Sequence, residues 1–528
     1  MGKKENGDVI QLKFCLIIRL FWTICLCLIS VTAEESYAAT YYVSPTGNNN
    51  ADGSSSAPWG TFAHAMSALK PGDTLIVKPG IYNQQLAVNI AGTSSKPIRI
   101  FTQGYEAGGN PPNDGDVIIS TRYPTSALTV ASGVSYVEIG GFTFRNGGAA
   151  AVNDVYCATN GSGLTNVHGI SIGAVDHLIM RRITVKGASG CNSANFNLAG
   201  TTNSLFEDIA ASGQGRINLN ALNTNHIVFR RVWMSWTGPS TGGGDTPGVN
   251  QIYDSNNIIM ENCYGTSPLI GATVGGMGTW AHYTSISGNQ FLGNIMYLPQ
   301  SVSLEAFSDT AECGQTVSGT IFSNNVAIAT YTKGGGSTFA EINANPSHGT
   351  AVINNTFVGN GLGAGDLSNK GMYLSVRSKC RFQSAATATV YNNSFVNLTN
   401  GFQTMDSGNQ LKFHDYNNLY NVYLKAYDPT GLITNRRPSH EKAINPAYNT
   451  TTYGYGAYLM VPAGLKGRGQ AGADIGATVL YEYQNAVLTA TPLWPWPMES
   501  RIFTEFGISP TWSAKGGLWK TLNNVYKN

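Results

Sequence analysis

The chain has 528 residues, of which 42% are hydrophobic, 12% charged and 10% aromatic, with a formal charge of +2. A disordered chain would be less apolar and more charged, and a nucleic-acid binder running on phosphate contacts would be more basic. Glycine, at 62 residues, exceeds ordinary usage, as does asparagine, and this suits a turn-rich β architecture whose polar faces rely on amides rather than ions.

At the start of the chain, Lys3, Lys4 and Lys13 precede an apolar run, Phe14–Val31, whose only charge is Arg19. Small residues follow at Val31-Thr32-Ala33 and Ser36-Tyr37-Ala38. This predicts a signal peptide over 1–38, cleaved after residue 33 or 38, and a secreted, periplasmic or cell-surface protein with no membrane attachment after cleavage. A membrane anchor is the weaker reading, because Arg19 leaves only about 12 uninterrupted apolar residues. Five cysteines remain beyond the signal (Cys157, Cys191, Cys263, Cys313, Cys380), too few for a disulfide scaffold. Cys157–Cys191 and Cys313–Cys380 are the pairs to test. No CxxC or HExxH spacing suggests a structural zinc site.

Next comes a stretch, Trp59–Lys70, with Phe62, Met66 and Leu69 at helical spacing, closed by Pro71-Gly72. It predicts a short amphipathic helix capping the structure. Strands over Thr74–Lys78, Ile98–Phe101 and Val117–Ile119 would follow as the opening coils.

From about residue 137 a phrase recurs: apolar residues, two polar residues, then a small and usually an aromatic one. It reads Val352-Ile353-Asn354-Asn355-Thr356-Phe357 and Val390-Tyr391-Asn392-Asn393-Ser394-Phe395. Taking the second polar position as marker gives 141, 182, 208, 231, 262, 289, 324, 355, 393 and 418, a mean step of about 31 residues, within the solenoid window. Alternation inside each copy has period 2, so the unit is strand–turn–strand. Such short strands cannot bury a core alone, but stacked coils do so continuously. Asparagine at the bend fits because it tolerates left-handed backbone and its amide can bond the asparagine of the next coil. The prediction is all-β: a right-handed parallel β-helix over 39–426, about ten or more coils, with an N-terminal cap. Residues 427–528 are then a final coil and a C-terminal cap wrapping over it, including an amphipathic stretch, Glu499–Phe506.

The opening segments Tyr41-Tyr-Val-Ser-Pro-Thr-Gly, Pro58-Trp-Gly-Thr-Phe-Ala-His-Ala65 and Lys70-Pro-Gly-Asp-Thr-Leu-Ile-Val-Lys-Pro-Gly-Ile-Tyr82 resemble those of secreted bacterial pectin-lyase-like β-helix proteins. Pro446 through Gly472-Ala-Asp-Ile-Gly-Ala477 is similar to the way such chains close their last coil. These proteins include polysaccharide lyases and uronan epimerases, so the resemblance implies a monomer that acts on or binds an extracellular, acidic polysaccharide. A lyase would need a base to take the proton α to a uronate carboxylate, and acidic residues holding Ca²⁺ against that carboxylate. Lys186 and Arg216 are the candidate bases, and Asp245, Asp254, Glu305 and Asp309 the candidate calcium ligands. The alternative is a non-catalytic carbohydrate-binding or surface-structural protein.

Three further features bear on the site. His168-Gly169 is similar to the His-Gly segment of polygalacturonase-type hydrolases, but the paired aspartates of that motif do not precede it. The Asp-Pro-His-Asp signature of β-helix epimerases is also absent. Long loops at 236–250, 265–283 and 301–318 carry Trp236, Trp280 and His282, candidates for sugar contact together with Arg230. Finally, the polar pairs of four successive copies read Arg181-Arg182, Glu207-Asp208, Arg230-Arg231 and Glu261-Asn262. Stacked coils would alternate these in sign, which predicts a structural ion-pair ladder before it predicts a catalytic patch.

Overall fold

The computed structural model describes residues 38–105, 116–122, 125–146, 168–187, 193–213, 215–237, 248–266, 276–298, 302–308, 315–329, 338–343, 347–359, 370–375, 387–404, 410–427, 438–494 and 496–506. The signal-peptide prediction and four of the five cysteines lie outside these residues. Cys263 is a buried, reduced thiol whose pKa burial pushes up to about 12. No helix among the described residues is long and apolar enough to cross a membrane.

Period-2 sequence produces short strands, and they pair in parallel with the coil before and after, so the chain forms the right-handed parallel β-helix its repeats predict. Each coil contributes up to three main strands, and three coils add a short fourth, at Ile286–Ser287, Val317–Ser318 and Ser347–His348. The first two join at a bend and build one 22-stranded array, and the third builds a separate 12-stranded sheet. Inward positions stack residue on residue: Phe206 pairs with Phe229, Phe229 with Met260, Met260 with Phe291 and Phe291 with Phe322. The rings of Phe206 and Phe229 lie 5.3 Å apart and those of Phe291 and Phe322 5.0 Å apart, all fully buried. Each such side chain contributes about 1.5–3 kcal/mol by leaving water.

Helix α1 (Phe62–Ala68) closes the N-terminal end as expected. Thr61 caps it by accepting the His64 N–H, and Phe62, Ala65 and Met66 face the core. Strand Thr40–Val43 pairs with Thr74–Val77 to start the stack.

The bend between the first two strands shows a division of labour that the repeat phrase concealed. Its first residue adopts left-handed backbone: φ is 59° at Asn324, 56° at Asn354 and 58° at Asn392. The second is buried and carries the internal amide ladder. Asn294 donates to Asn325, Asn325 to Asn355, Asn355 to Asn393 and Asn393 to Asn417, at 2.9–3.0 Å. The markers at 355, 393 and 418 therefore sit one or two residues past the left-handed position, which is 354, 392 and 416. Asn289 belongs to a different turn of its coil, after Gly288, and the equivalent of Asn262 is Gly293. Toward the N-terminus the ladder position turns apolar (Cys263, Val232, Ile209, Ile183, Phe142), and the charged pairs take over outside.

The C-terminal segment does not stop at the last coil, as the cap prediction had it. Asn418 bonds the backbone of Ile444, and from there the chain runs back along the outer side of the bends. The left-handed asparagines are its rail. Gln470 N–H donates to Asn392, Asn354 donates to the Asp474 carbonyl, Thr478 N–H donates to Asn324 and Tyr483 N–H to Asn262. Gly293 is required at its place on this rail, since the Tyr483 ring lies 2.8 Å from where a Cβ would be. The strap then forms a hairpin of β6 (Tyr481–Gln484) and β7 (Val487–Pro492) and a helix α2 (Glu499–Phe506). Leu493, Trp494, Trp496 and Ile502 cover Ala210, Trp233, Tyr264 and Ile295 on the second strand stack.

Candidate functional site

The twelve-stranded third sheet carries the groove. Five of its strands matter: β1 (Ile170–Ile172), β2 (Ala194–Ala199), β3 (Ile217–Leu222), β4 (Gly248–Tyr253) and β5 (Met277–Ala281). Inward residues such as Phe196, Leu219 and Ile252 hold the core, so their neighbours face out. Register puts Ser171, Asn197, Asn220 and Gln251 in one outward column, one residue per coil. Above it lies a cavity of about 530 Å³ lined by His168, Asn197, Arg216, Asn220, Tyr253 and His282 among others.

Amides form the floor. Asn220 donates to the Asn197 side-chain carbonyl at 2.7 Å, and both residues line the cavity. Gln251 donates to the Tyr253 hydroxyl, and its own carbonyl is buried without a partner among the described residues. Tyr253, His282 and the exposed Tyr283 make an aromatic wall, with the His282 ring 6.0 Å from Tyr253 and 3.9 Å from Tyr283. At the other end stands His168. The backbone N–H of Ala194 donates to its Nδ1 at 3.0 Å, and burial lowers its pKa to about 4. The ring is therefore neutral at pH 7, with its proton on Nε2. Among the described residues that line the cavity, Arg216 is the one formal cation and none is a carboxylate. Such a surface offers hydrogen bonds, a ring face and a single positive charge, which is chemistry for an anionic, hydroxyl-rich ligand.

The residues singled out from the sequence separate into those the fold brings to this groove and those it does not. Arg216 and His282 line it. Trp280 pairs in register with Tyr253 and packs against its ring at 5.6 Å, mostly buried. Lys186 is elsewhere: its Nζ donates to the Glu505 carbonyl of α2 at 2.7 Å, and so fastens the strap. Trp236 is a correction. The strand runs through it, the ring is buried and its indole N–H donates to the Gly215 carbonyl at 2.7 Å, so it presents no face to a sugar.

Arg230 is corrected likewise, because it belongs to the ion-pair ladder. Glu207 takes Arg181 Nε at 2.8 Å and Arg230 Nη1 at 2.8 Å, and Arg230 Nε reaches Glu261 at 2.6 Å. In the second column Arg231 binds Asp208 at 2.6 Å. The hairpin covers the Arg230, Arg231 and Glu261 part of the ladder, for Asn485 and Ala486 donate their backbone N–H groups to Glu261 and Glu482 lies 3.3 Å from Arg231, while Arg181 at the other end stays partly exposed. Burial works to raise the Glu207 carboxyl, yet Arg231 and the bonds from Arg230 and Arg181 outweigh it and hold it below the usual range.

Calcium asks for about six to eight oxygen ligands. Of the four acidic candidates, Asp245 and Asp309 lie outside the described residues, as does the side chain of Glu305, whose backbone pairs with Gly278 and Glu341. Asp254 is buried, and its Oδ1 accepts the backbone N–H groups of His282, Tyr283 and Thr284 at 2.7–3.0 Å. That oxygen holds the aromatic wall in place. Among the described residues no three His, Cys, Asp or Glu side chains converge, so these residues alone do not assemble a calcium cage.

Sequence reasoning missed His168 as a groove residue, and Asn197, Asn220, Gln251 and Tyr253 altogether. The signal was present as alternation (Asn-Phe-Asn-Leu-Ala, Ile-Asn-Leu-Asn, Asn-Gln-Ile-Tyr). It becomes a column only once coils of unequal length are stacked in register.

Residues 41–190 match the family described as Pel9A-like, right handed beta helix region. Over 97 residues the chain is 31% identical to the uncharacterized protein YwoF of Bacillus subtilis (strain 168), covering 18% of this chain and 20% of that protein. Over 120 residues it is 30% identical to pectate lyase L of Dickeya dadantii (strain 3937), covering 21% of this chain and 26% of the lyase. The chain thus spans only a fifth to a quarter of the length of these relatives. Among solved structures it is similar to the GH136 lacto-N-biosidase of Eubacterium ramulus, at 13% identity and a TM-score of 0.43, over 71% of this chain and 68% of that one.

Proposed function

We propose that the protein is exported and binds an acidic polysaccharide along the outer face of the third sheet. The observation that carries this reading is the groove itself: among the described residues that line it stand one arginine, a row of amides and an aromatic wall, and no carboxylate to repel an anionic chain. Arg216 pairs with a uronate carboxylate, Asn197 and Asn220 bond hydroxyls, and Tyr253, His282 and Tyr283 offer ring surface for stacking.

A second reading places β-elimination at the same groove, and it is favoured by the Pel9A-like match and the pectate lyase relative. In that reaction the base takes the C5 proton, the C5–H electron pair becomes the C4=C5 double bond, and O4 leaves with the C4–O bonding pair and takes a proton from water. Arg216 is the candidate base, since Lys186 is committed to α2. Ultraviolet absorbance of the protein mixed with a panel of uronans, with calcium and with chelator, separates the readings. An unsaturated-uronyl signal lost in Arg216→Ala makes it a lyase. A flat trace with retained affinity makes it a binding protein, and absence of affinity for every uronan contradicts the proposal.

A further inference from the structure

The His168 ring has a fixed tautomer. It precedes β1, half-buried at the N-terminal end of the groove, and the backbone N–H of Ala194 on the next coil donates to Nδ1 at 3.0 Å. Nδ1 must therefore keep its lone pair, and the ring proton resides on Nε2. His168 is among the residues that line the groove, and the edge of its ring not taken by Ala194 carries an N–H. The coils bearing His168, Ala194 and Arg216-Ile217 are successive in the sheet, because Gly169 N–H donates to the Ala194 carbonyl and Ile217 N–H to that of Ser193. Two rungs at ~4.8 Å set His168 about 10 Å from Arg216 along the helix axis.

We infer that His168 is a specificity-determining residue of the groove, a neutral hydrogen-bond donor that reads an acceptor oxygen of the glycan about two rungs away from the carboxylate held by Arg216. The inference rests on the proposed binding of an acidic glycan in this groove. A cationic imidazole would attract any anion without regard to geometry. The tautomer-locked ring instead demands an acceptor at one place, and burial keeps it neutral, with its pKa held down at about 4. The ionisable groups sharing the groove with it are Arg216, Tyr253, His282 and Tyr283.

The test is calorimetric titration of the protein with polygalacturonate and with alginate, comparing wild type, His168→Asn and His168→Gln. Asparagine keeps an acceptor for the Ala194 N–H and loses the reach of Nε2, and glutamine restores a donor near the Nε2 position. For whichever uronan binds, the expected result is an affinity about tenfold lower in His168→Asn at unchanged melting temperature, with most of it recovered in His168→Gln. Equal affinity of wild type and His168→Asn overturns the inference and leaves the groove reading standing. No binding of either uronan by wild type overturns the groove reading, and the inference with it.

Discussion

Asn354 and Asn355 are adjacent, chemically identical and differently employed. Asn355 is fully buried, donates to Asn393 and the Phe322 carbonyl, and accepts from the backbone and amide of Asn325. Replacing it by alanine strands several buried partners at once, each costing about 1–3 kcal/mol. Asn354 contributes its left-handed backbone and one bond to the strap, and glycine at that position keeps the backbone requirement satisfied. Thermal unfolding should accordingly show a large loss for Asn355→Ala, about 3 kcal/mol or more, and a loss of about 1 kcal/mol for Asn354→Gly. Equal losses would mean that the ladder and the rail are not the separate devices described here.

At the scale of elements, the strap explains why the sequence resumes an apolar, tryptophan-rich character near its end. The ladder, the asparagine rail and the apolar face of the second strand stack all need cover, and a single segment covers all three. Trp494 is nearly fully buried in this contact and its indole N–H donates to the Val479 carbonyl at 3.0 Å. Trp494→Ala removes both the packing and that bond, for an expected cost of about 3–5 kcal/mol in unfolding measured by near-ultraviolet circular dichroism. A variant within 1 kcal/mol of wild type, on the scale of ordinary surface substitutions, would show that the strap is not docked as described. The charged pairs beneath it gain from the same cover. Ion pairs at an open surface contribute little, whereas Glu261, fully buried, depends on Arg230 and on the strap's two N–H groups for its charge to be tolerated.

For the molecule as a whole, the solenoid was legible because its period is carried by local chemistry, with polar pairs at each bend and apolar residues on either side. The slips have the same origin. More than one turn of each coil takes left-handed residues, so Gly288-Asn289 imitates the bend that actually lies at Gly293-Asn294. The course of the C-terminal cap was not legible because its partners on the rail lie 78 to 221 residues away, and nothing local in 470–483 announces Asn392 or Asn262. The site was half visible. Arg216 stood out as a cation in a strand-like alternation and His282 as an aromatic neighbour in a long loop. The amide column needs Asn197, Asn220 and Gln251, spaced by 23 and then 31 residues, to be stacked before it exists. Trp236 and Arg230 misled for the opposite reason, as residue types suited to sugars that the register turned toward the core and the ladder.

Whether an acidic glycan occupies this groove is decided most directly by the affinity of the protein for a uronan before and after Arg216→Ala, measured at low and at high salt. The groove account predicts binding that weakens with salt, and a loss of at least tenfold in the variant together with most of that salt dependence. Undiminished, equally salt-sensitive binding by Arg216→Ala, with its melting temperature unchanged, would contradict it and place the glycan on another face of the β-helix.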